Sequence, residues 1–222
     1  MMRRLPVSLR SLRDATDGAA MIEFAFGLPL LLLLLLGGIE LTNLTLTNIK
    51  AQQLATMAAD LVAQRGASQD RISEKQIYDI QSAIAMAARP YDALNDGRLV
   101  ITAMVGEDTN DDRAADVNRI KWQRFVGRNV SVTPVVGCST TNNVPTLANP
   151  RQLRTTEVVF HAQVTLRYRR YFGGINNYLN LPTQVTRTAT FLGRGAIYKD
   201  VLTSDGYAPR SNCTASYGGI GT

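Results

Sequence analysis

A long apolar run near the N-terminus constrains this chain of 222 residues more than any other feature. Residues 19–42 contain only two ionisable side chains, Glu23 and Glu40, and leucine fills every position of 30–36. Each leucine at a helix centre favours insertion by about 0.3–0.6 kcal/mol, and a helix of about 20 apolar residues crosses a bilayer. Because Glu23 lies near one end of the run, the leucines outweigh its cost. The sequence therefore predicts one transmembrane helix over residues 19–42.

The residues before the run form a basic leader, 1–18, which sets the predicted orientation. Four arginines lie in this leader, and the next basic residue is Lys50. Because basic residues that flank a span stay in the cytoplasm, we expect a cytoplasmic N-terminus and an exported C-terminal part. A cleavable secretory signal is an alternative interpretation, although residues 37–45 contain no cleavage site of the A-x-A kind.

A second pattern lies at the junction of leader and run. Residues Gly18 to Phe24 read G-A-A-M-I-E-F and resemble the processing site of type IV prepilins. In those proteins a membrane-embedded peptidase cuts after the glycine, and the glutamate becomes the fifth residue of the mature chain. Here Pro29, the leucines and a second glutamate follow. Over about residues 14–60 this order is similar to that of the TadE-like family of tight-adherence (Tad/Flp) pilus assembly proteins.

This resemblance implies a role for each residue of the motif. Gly18 would supply the carbonyl of the cleaved bond, and Ala19 would become the new N-terminus. Glu23 and Phe24 would serve recognition or assembly. An ammonium at Ala19 and a carboxylate at Glu23 are both costly in hydrocarbon, so pairing between neighbouring subunits would relieve both. The alternative is that Glu23 only extends to the headgroups. Pro29 lacks a backbone donor and is expected to bend the helix.

The function implied by the resemblance is that of a minor pilin or pseudopilin for tight-adherence pili, processed by a prepilin peptidase after Gly18. The implied partners are the bacterial inner membrane, the peptidase, other pilus or pseudopilin subunits and the assembly platform. The C-terminal domain would lie in the periplasm or in the pilus. An unprocessed, signal-anchored periplasmic protein that binds a ligand or an envelope partner is the alternative.

The chain beyond the span predicts an α+β head. Residues 43–66 continue as an amphipathic helix with alanine and leucine at three- and four-residue spacing, and Gly66 is suited to cap its C-terminus. Ser73 and Gln76 form a capping box before a second helix. Residues 67–222 are therefore predicted to be an exported α+β domain, in which helices precede an antiparallel sheet.

The strands of this domain are predicted from apolar residues at every second position. They comprise residues 98–106, 119–127, 130–136, 157–171 and 185–192. The tail after residue 205 is rich in glycine, serine and tyrosine. We expect this tail to be flexible except where Cys213 tethers it.

Two cysteines and one histidine leave little material for a metal or catalytic site. Cys138 and Cys213 lack the C-x-x-C spacing, and on the exported side of a membrane they could form a disulfide. His161 falls on the polar side of its strand and has no partner nearby in sequence. We interpret it as a surface histidine or a satisfied sheet histidine, and we expect no enzyme, no metal and no cofactor.

Two charged segments suggest ligand binding but have simpler interpretations. Residues 108–112 begin like a calcium loop, yet Arg113 and Arg119 stand where such a loop requires glycine and glutamate. A solvated hairpin loop is the better interpretation. Residues 167–171, R-Y-R-R-Y, combine basic and aromatic side chains, but without the leader, which has four arginines and two aspartates, the net charge falls from +6 to +4, a mild excess. We therefore expect no nucleic-acid partner.

Overall fold

The computed structural model describes residues 17–66, 71–147, 151–155, 157–173, 180–193, 200–203 and 205–218. Its helices are α1 (Asp17–Gly66) and α2 (Glu74–Ala87), and its strands are β1 (Arg98–Glu107), β2 (Val117–Val126), β3 (Val158–Arg167) and β4 (Gln184–Leu192). The strands form one antiparallel sheet in the order β2-β1-β3-β4. This architecture confirms the predicted α+β class. The predicted span and the predicted amphipathic helix are two parts of one continuous helix.

The chain forms two compact units, each made of two segments of the sequence. The first contains Met1–Asn43 and Arg170–Asn180, and the second contains Leu44–Arg169 and Leu181–Thr222. The second unit holds the sheet, α2 and the C-terminal part of α1.

One face of the sheet packs on the helices of the second unit. Alternate residues of β3, from Val158 to Leu166, lie on this face. The helical residues packed in the same core cluster are Ala51, Leu54, Ala55, Ala58 and Val62 of α1 and Ile77, Ile80 and Ile84 of α2. Alanine on α1 allows the helix to approach the sheet closely, because a methyl group is the shortest apolar side chain. The predicted apolar face of residues 43–66 is therefore confirmed.

The other face of the sheet carries buried polar side chains. The prediction of a strand at 130–136 is wrong, because this segment is bound by a side chain instead of a neighbouring strand. Gln163 of β3 accepts the Val135 N–H at 2.7 Å and donates to the Thr133 carbonyl at 3.0 Å. Pro134 between them has no N–H for a strand ladder. The amide of Gln163 therefore satisfies the backbone that a strand partner would otherwise bind.

Helix α2 begins with the predicted capping box. The Ser73 hydroxyl accepts the Gln76 N–H at 3.2 Å, and the Gln76 side chain accepts the Ser73 N–H at 3.0 Å. The next residue, Glu74, is fully buried and forms an ion pair with Arg124 of β2. The Arg124 Nε lies 2.9 Å from both carboxylate oxygens. This ion pair fixes the first turn of α2 to the sheet.

The predicted strand 157–171 is shorter in the structure. β3 ends at Arg167, which is paired with Gln184 at the start of β4. Beyond this pair Tyr168 donates its N–H to the Thr183 carbonyl at 2.9 Å. The strand thus ends at Arg167 and not at residue 171 as predicted.

The tail also differs from its prediction, because residues 205–218 make defined contacts. Phe125 donates its N–H to the Arg210 carbonyl and Gly127 donates to the Tyr217 carbonyl, both at 2.8 Å. The Cys138–Cys213 disulfide is present, with the two Cα atoms 6.1 Å apart. The tail thus adds backbone hydrogen bonds along β2, which composition alone does not reveal.

Candidate functional site

The predicted processing site lies at the start of α1. Gly18 and Ala19 are the second and third residues of the helix, and both are exposed. A Cβ added to Gly18 would meet no atom within 4 Å. Both residues therefore lie, exposed, at the N-terminal end of the described part of α1. The arginines of the leader lie outside the described residues.

Glu23 lies one helical turn after Ala19. Residues four apart share a helix face, with about 5–6 Å between their Cβ atoms. Glu23 is exposed and forms no hydrogen bond or ion pair within the part of the chain that the structure describes. Phe24, beside it, is also exposed. The carboxylate is thus accessible to a group outside the described residues.

Apolar side chains project from all sides of α1 in this region. Phe26 is 81% exposed and Leu34 is 64% exposed, and the other leucines of 30–35 are similar. Among the described residues, Gly18–Gln64 is the one helix long and apolar enough to cross a membrane, and none of its most apolar window is buried inside the protein. A helix that is apolar all round needs an apolar surrounding. This helix is consistent with single-pass membrane anchoring.

Pro29 lies inside α1. It has no N–H to donate to the Ala25 carbonyl, one turn earlier. The bend expected at Pro29 stays a prediction.

Glu40 is a site residue to which the sequence interpretation assigned no role. Its side chain is buried, with 1% exposure. Its Oε2 accepts the N–H groups of Tyr171, at 3.1 Å, and Phe172, at 3.3 Å. All three residues belong to the first compact unit. The available signal was a second acidic residue in an apolar run, which calls for a specific partner, but the partner is 131 residues away in sequence.

His161 is buried within β3, with 6% exposure, which excludes the surface alternative and favours the sheet alternative. Its Nδ1 lies 2.8 Å from the Thr190 hydroxyl, with which it shares a hydrogen bond. Its Nε2 has no hydrogen-bond partner among the described residues. Burial lowers the pKa of His161 to about 4, so the ring is neutral at pH 7. A neutral ring hydrogen-bonded to one threonine has the features of a sheet residue, and within the described part of the chain no carboxylate is hydrogen-bonded to it to orient it for proton transfer.

The carboxylates of the acidic loop form hydrogen bonds and ion pairs with groups in and beside the loop. Asp108 accepts the N–H groups of Asn110, at 3.1 Å, and Arg113, at 2.7 Å. Glu107 forms ion pairs with Arg119 and Lys121, and the hydrogen bond from Lys121 lowers the pKa of Glu107. These contacts are typical of a solvated hairpin loop. Within the described ranges, no group of three or more potential metal ligands occurs.

The basic strand end contains side chains with different environments. Tyr168 is buried, whereas Arg167 and Arg169 lie 3.5 and 3.3 Å from the carboxylate of Asp96. The shared ion pair gives both arginines a partner within the protein.

Comparison with known protein families supports the interpretation of α1. The model of the TadE-like protein family matches residues 18–60. Comparisons with curated proteins and with solved structures found no match. The matched residues run from the predicted processing site through most of α1, and they support involvement in Tad pilus assembly. The chain therefore carries a TadE-like segment at residues 18–60, and this is the family that its sequence resembles.

Proposed function

We propose that this protein is a minor pilin or pseudopilin of a tight-adherence system, cleaved after Gly18 by a prepilin peptidase. The observation that carries the proposal is the TadE-like segment on an exposed apolar helix, with Gly18 in the first turn and Glu23 one turn further on. Pilus assembly requires a helix whose apolar surface can move from lipid to protein neighbours. The first part of α1 has such a surface on every side.

Cleavage would create a partner for Glu23, which is unpaired among the described residues. The new ammonium at Ala19 would stand at the positive end of the helix dipole, where a cation is unfavourable and a carboxylate is favourable. Glu23 of a neighbouring subunit would pair with this ammonium in an apolar surrounding, which relieves the cost of both charges. The spacing also brings Glu23 of the same chain near Ala19.

The proposed topology follows from the charges and the disulfide. The leader, 1–18, would lie in the cytoplasm, and residues 19–42 would span the inner membrane. Residues 43–66 would continue as a helix into an exported domain, 67–222. The Cys138–Cys213 disulfide supports export, because disulfides persist in oxidising compartments. Other pilus subunits and the assembly platform would be the partners of the mature chain.

A matched pair of glycine variants tests the processing step. Gly18 and Gly27 both lie in α1, and an added Cβ meets no atom within 4 Å at either position. Gly18→Val should abolish cleavage by the peptidase, whereas Gly27→Val should be cleaved like the unsubstituted chain. The length of the chain on a denaturing gel, with and without the peptidase, measures the difference. Equal cleavage of both variants would remove the assigned role of Gly18.

A Glu23 variant separates recognition from assembly. Glu23→Ala should abolish assembly into pili or pseudopili even where cleavage continues, because the Ala19 ammonium then has no carboxylate partner. Counting pili on cells that express the variant measures this loss. Normal assembly by Glu23→Ala would refute subunit pairing through this carboxylate. An intact leader in all variants would favour the unprocessed, signal-anchored alternative.

A further inference from the structure

We propose that Tyr171 and Phe172 form a second membrane contact, in which Glu40 holds them at the outer headgroup region of the bilayer that α1 crosses. The partner is the phospholipid interface itself. The proposal rests on the predicted span of α1 and does not depend on cleavage after Gly18 or on a role in pili.

The position of Glu40 along α1 sets the depth of this contact. Glu40 follows Ala19 by 21 residues in one continuous helix. At 1.5 Å per residue these residues extend about 31 Å, which matches the hydrocarbon thickness of about 30 Å. When Ala19 lies at one boundary, Glu40 lies at the other.

Glu40 places a distant segment at the same level. Its Oε2 accepts two consecutive N–H groups, of Tyr171 and Phe172, so their backbone lies within hydrogen-bond distance of the carboxylate. Backbone groups near hydrocarbon require a partner within the protein, and a charged acceptor is a strong one. The same two hydrogen bonds help to satisfy an acidic residue, which is costly in hydrocarbon.

The side chains at this level have interfacial chemistry. Tyr171 is 68% exposed, and tyrosine is enriched where hydrocarbon meets headgroups because its ring is apolar and its hydroxyl is polar. Phe172 is half-buried beside it. Ile39 and Leu41 of α1, on either side of Glu40, are exposed as well. The chain thus presents aromatic and aliphatic side chains together at the end of the span.

Quenching of tryptophan emission by brominated phospholipids tests the contact in the full-length protein, reconstituted in vesicles of phosphatidylethanolamine and phosphatidylglycerol. The unsubstituted chain has a single tryptophan, Trp122, which is buried, and its emission is subtracted. The emission added by Tyr171→Trp should be quenched strongly by lipids brominated near the headgroup and weakly by lipids brominated near the chain end. Leu33→Trp, in the middle of the span, should show the reverse order.

Two glutamate variants separate the hold by Glu40 from a general effect of charge. In the Tyr171→Trp protein, Glu40→Ala should remove most of the quenching, and Glu40→Gln should retain it because the amide oxygen still accepts hydrogen bonds. Glu23→Ala, in the same helix, should leave the quenching unchanged. Unaltered Trp122 emission in each variant verifies that the sheet remains folded.

The outcomes that overturn the proposal are distinct. If Leu33→Trp is quenched and Tyr171→Trp is not, the span stands, and the segment at Tyr171 contacts water or protein instead of lipid. If Leu33→Trp is not quenched, the span and the proposal both fall. If the chain is not cleaved after Gly18 but the emission of Tyr171→Trp is still quenched, the proposed function is refuted and this contact stands.

Discussion

The two parts of α1 use the same backbone conformation in opposite ways. From Gly18 to Leu41 the helix exposes leucine, isoleucine and phenylalanine on every side. From Leu44 onward it buries one alanine-rich face in the core of the second unit and exposes polar residues, such as Gln53, on the other. Helix formation therefore does not define the environment of α1. Side-chain size and the width of the apolar face define this environment. A helix that is apolar on every side is stable in lipid, whereas a helix with one alanine stripe packs on a sheet.

The largest stability effect is expected from the ion pair that fixes α2 to the sheet. Glu74→Ala leaves the buried Arg124 guanidinium without its partner, which should lower the free energy of unfolding by about 3–5 kcal/mol. Glu107→Ala, which breaks partly exposed ion pairs with Arg119 and Lys121, should cost about 0–1 kcal/mol. Denaturant unfolding in micelles, followed by Trp122 emission, measures both. Equal losses of unfolding free energy in the two variants would show that burial does not make the Glu74–Arg124 pair more important than the exposed pairs.

The buried histidine should make the stability of the second unit depend on pH. The pKa of His161 falls from 6.5 to about 4 on folding, so the unfolded chain binds the extra proton between these values. The contribution of the neutral His161 ring to the free energy of unfolding is complete above pH 6.5. It is lost as the pH falls towards 4, and the loss reaches about 3 kcal/mol. Comparing unfolding of the unsubstituted chain with His161→Gln across this range isolates the effect, because the carboxylates remain in both. Parallel pH curves would contradict it.

A pair of alanine variants tests the contrast within α1 directly. Ala55 is fully buried against the sheet, so Ala55→Leu should overpack that contact and lower the free energy of unfolding by about 1–3 kcal/mol. Ala25→Leu adds the same atoms at an exposed position of the first part and should leave unfolding of the sheet unchanged. The same micelle titration reports both variants. A loss at Ala25 as large as at Ala55 would mean that the two parts share one packing environment.

The smallest effect is expected at the start of α2. Ser73→Ala removes the acceptor for the Gln76 N–H and should lower the free energy of unfolding by about 1 kcal/mol. Thr56→Ala removes a hydroxyl that donates to the Gln52 carbonyl at an exposed position of α1, so it should change stability little. Thermal unfolding of the two proteins side by side compares a true cap with a hydroxyl inside a helix.

Features with local causes were predictable from the sequence. The capping box of Ser73 and Gln76 depends on residues three apart, and the apolar run at 30–36 carries its own signal. The pairing of Cys138 with Cys213 was also accessible, because no other cysteine competes. In each case the sequence pattern alone defines which groups can interact.

Features with distant causes were not predictable. Gln163 binds the backbone at Val135, 28 residues away, and thereby converts a predicted strand into a loop. Glu40 finds its partners at Tyr171 and Phe172, which are 131 and 132 residues away in sequence. A pattern of apolar residues does not indicate such side-chain-to-backbone contacts. The buried polar face and the role of Glu40 could therefore be identified only from the structure.

The most direct test of the central claim is the N-terminal mass of the mature protein, recovered from membranes of cells with and without the matching prepilin peptidase. The account predicts a chain that begins at Ala19, with Glu23 as its fifth residue, in cells that contain the peptidase, and an intact leader in cells that lack it. A chain that begins at Met1 or Met2 in both cells would contradict processing after Gly18.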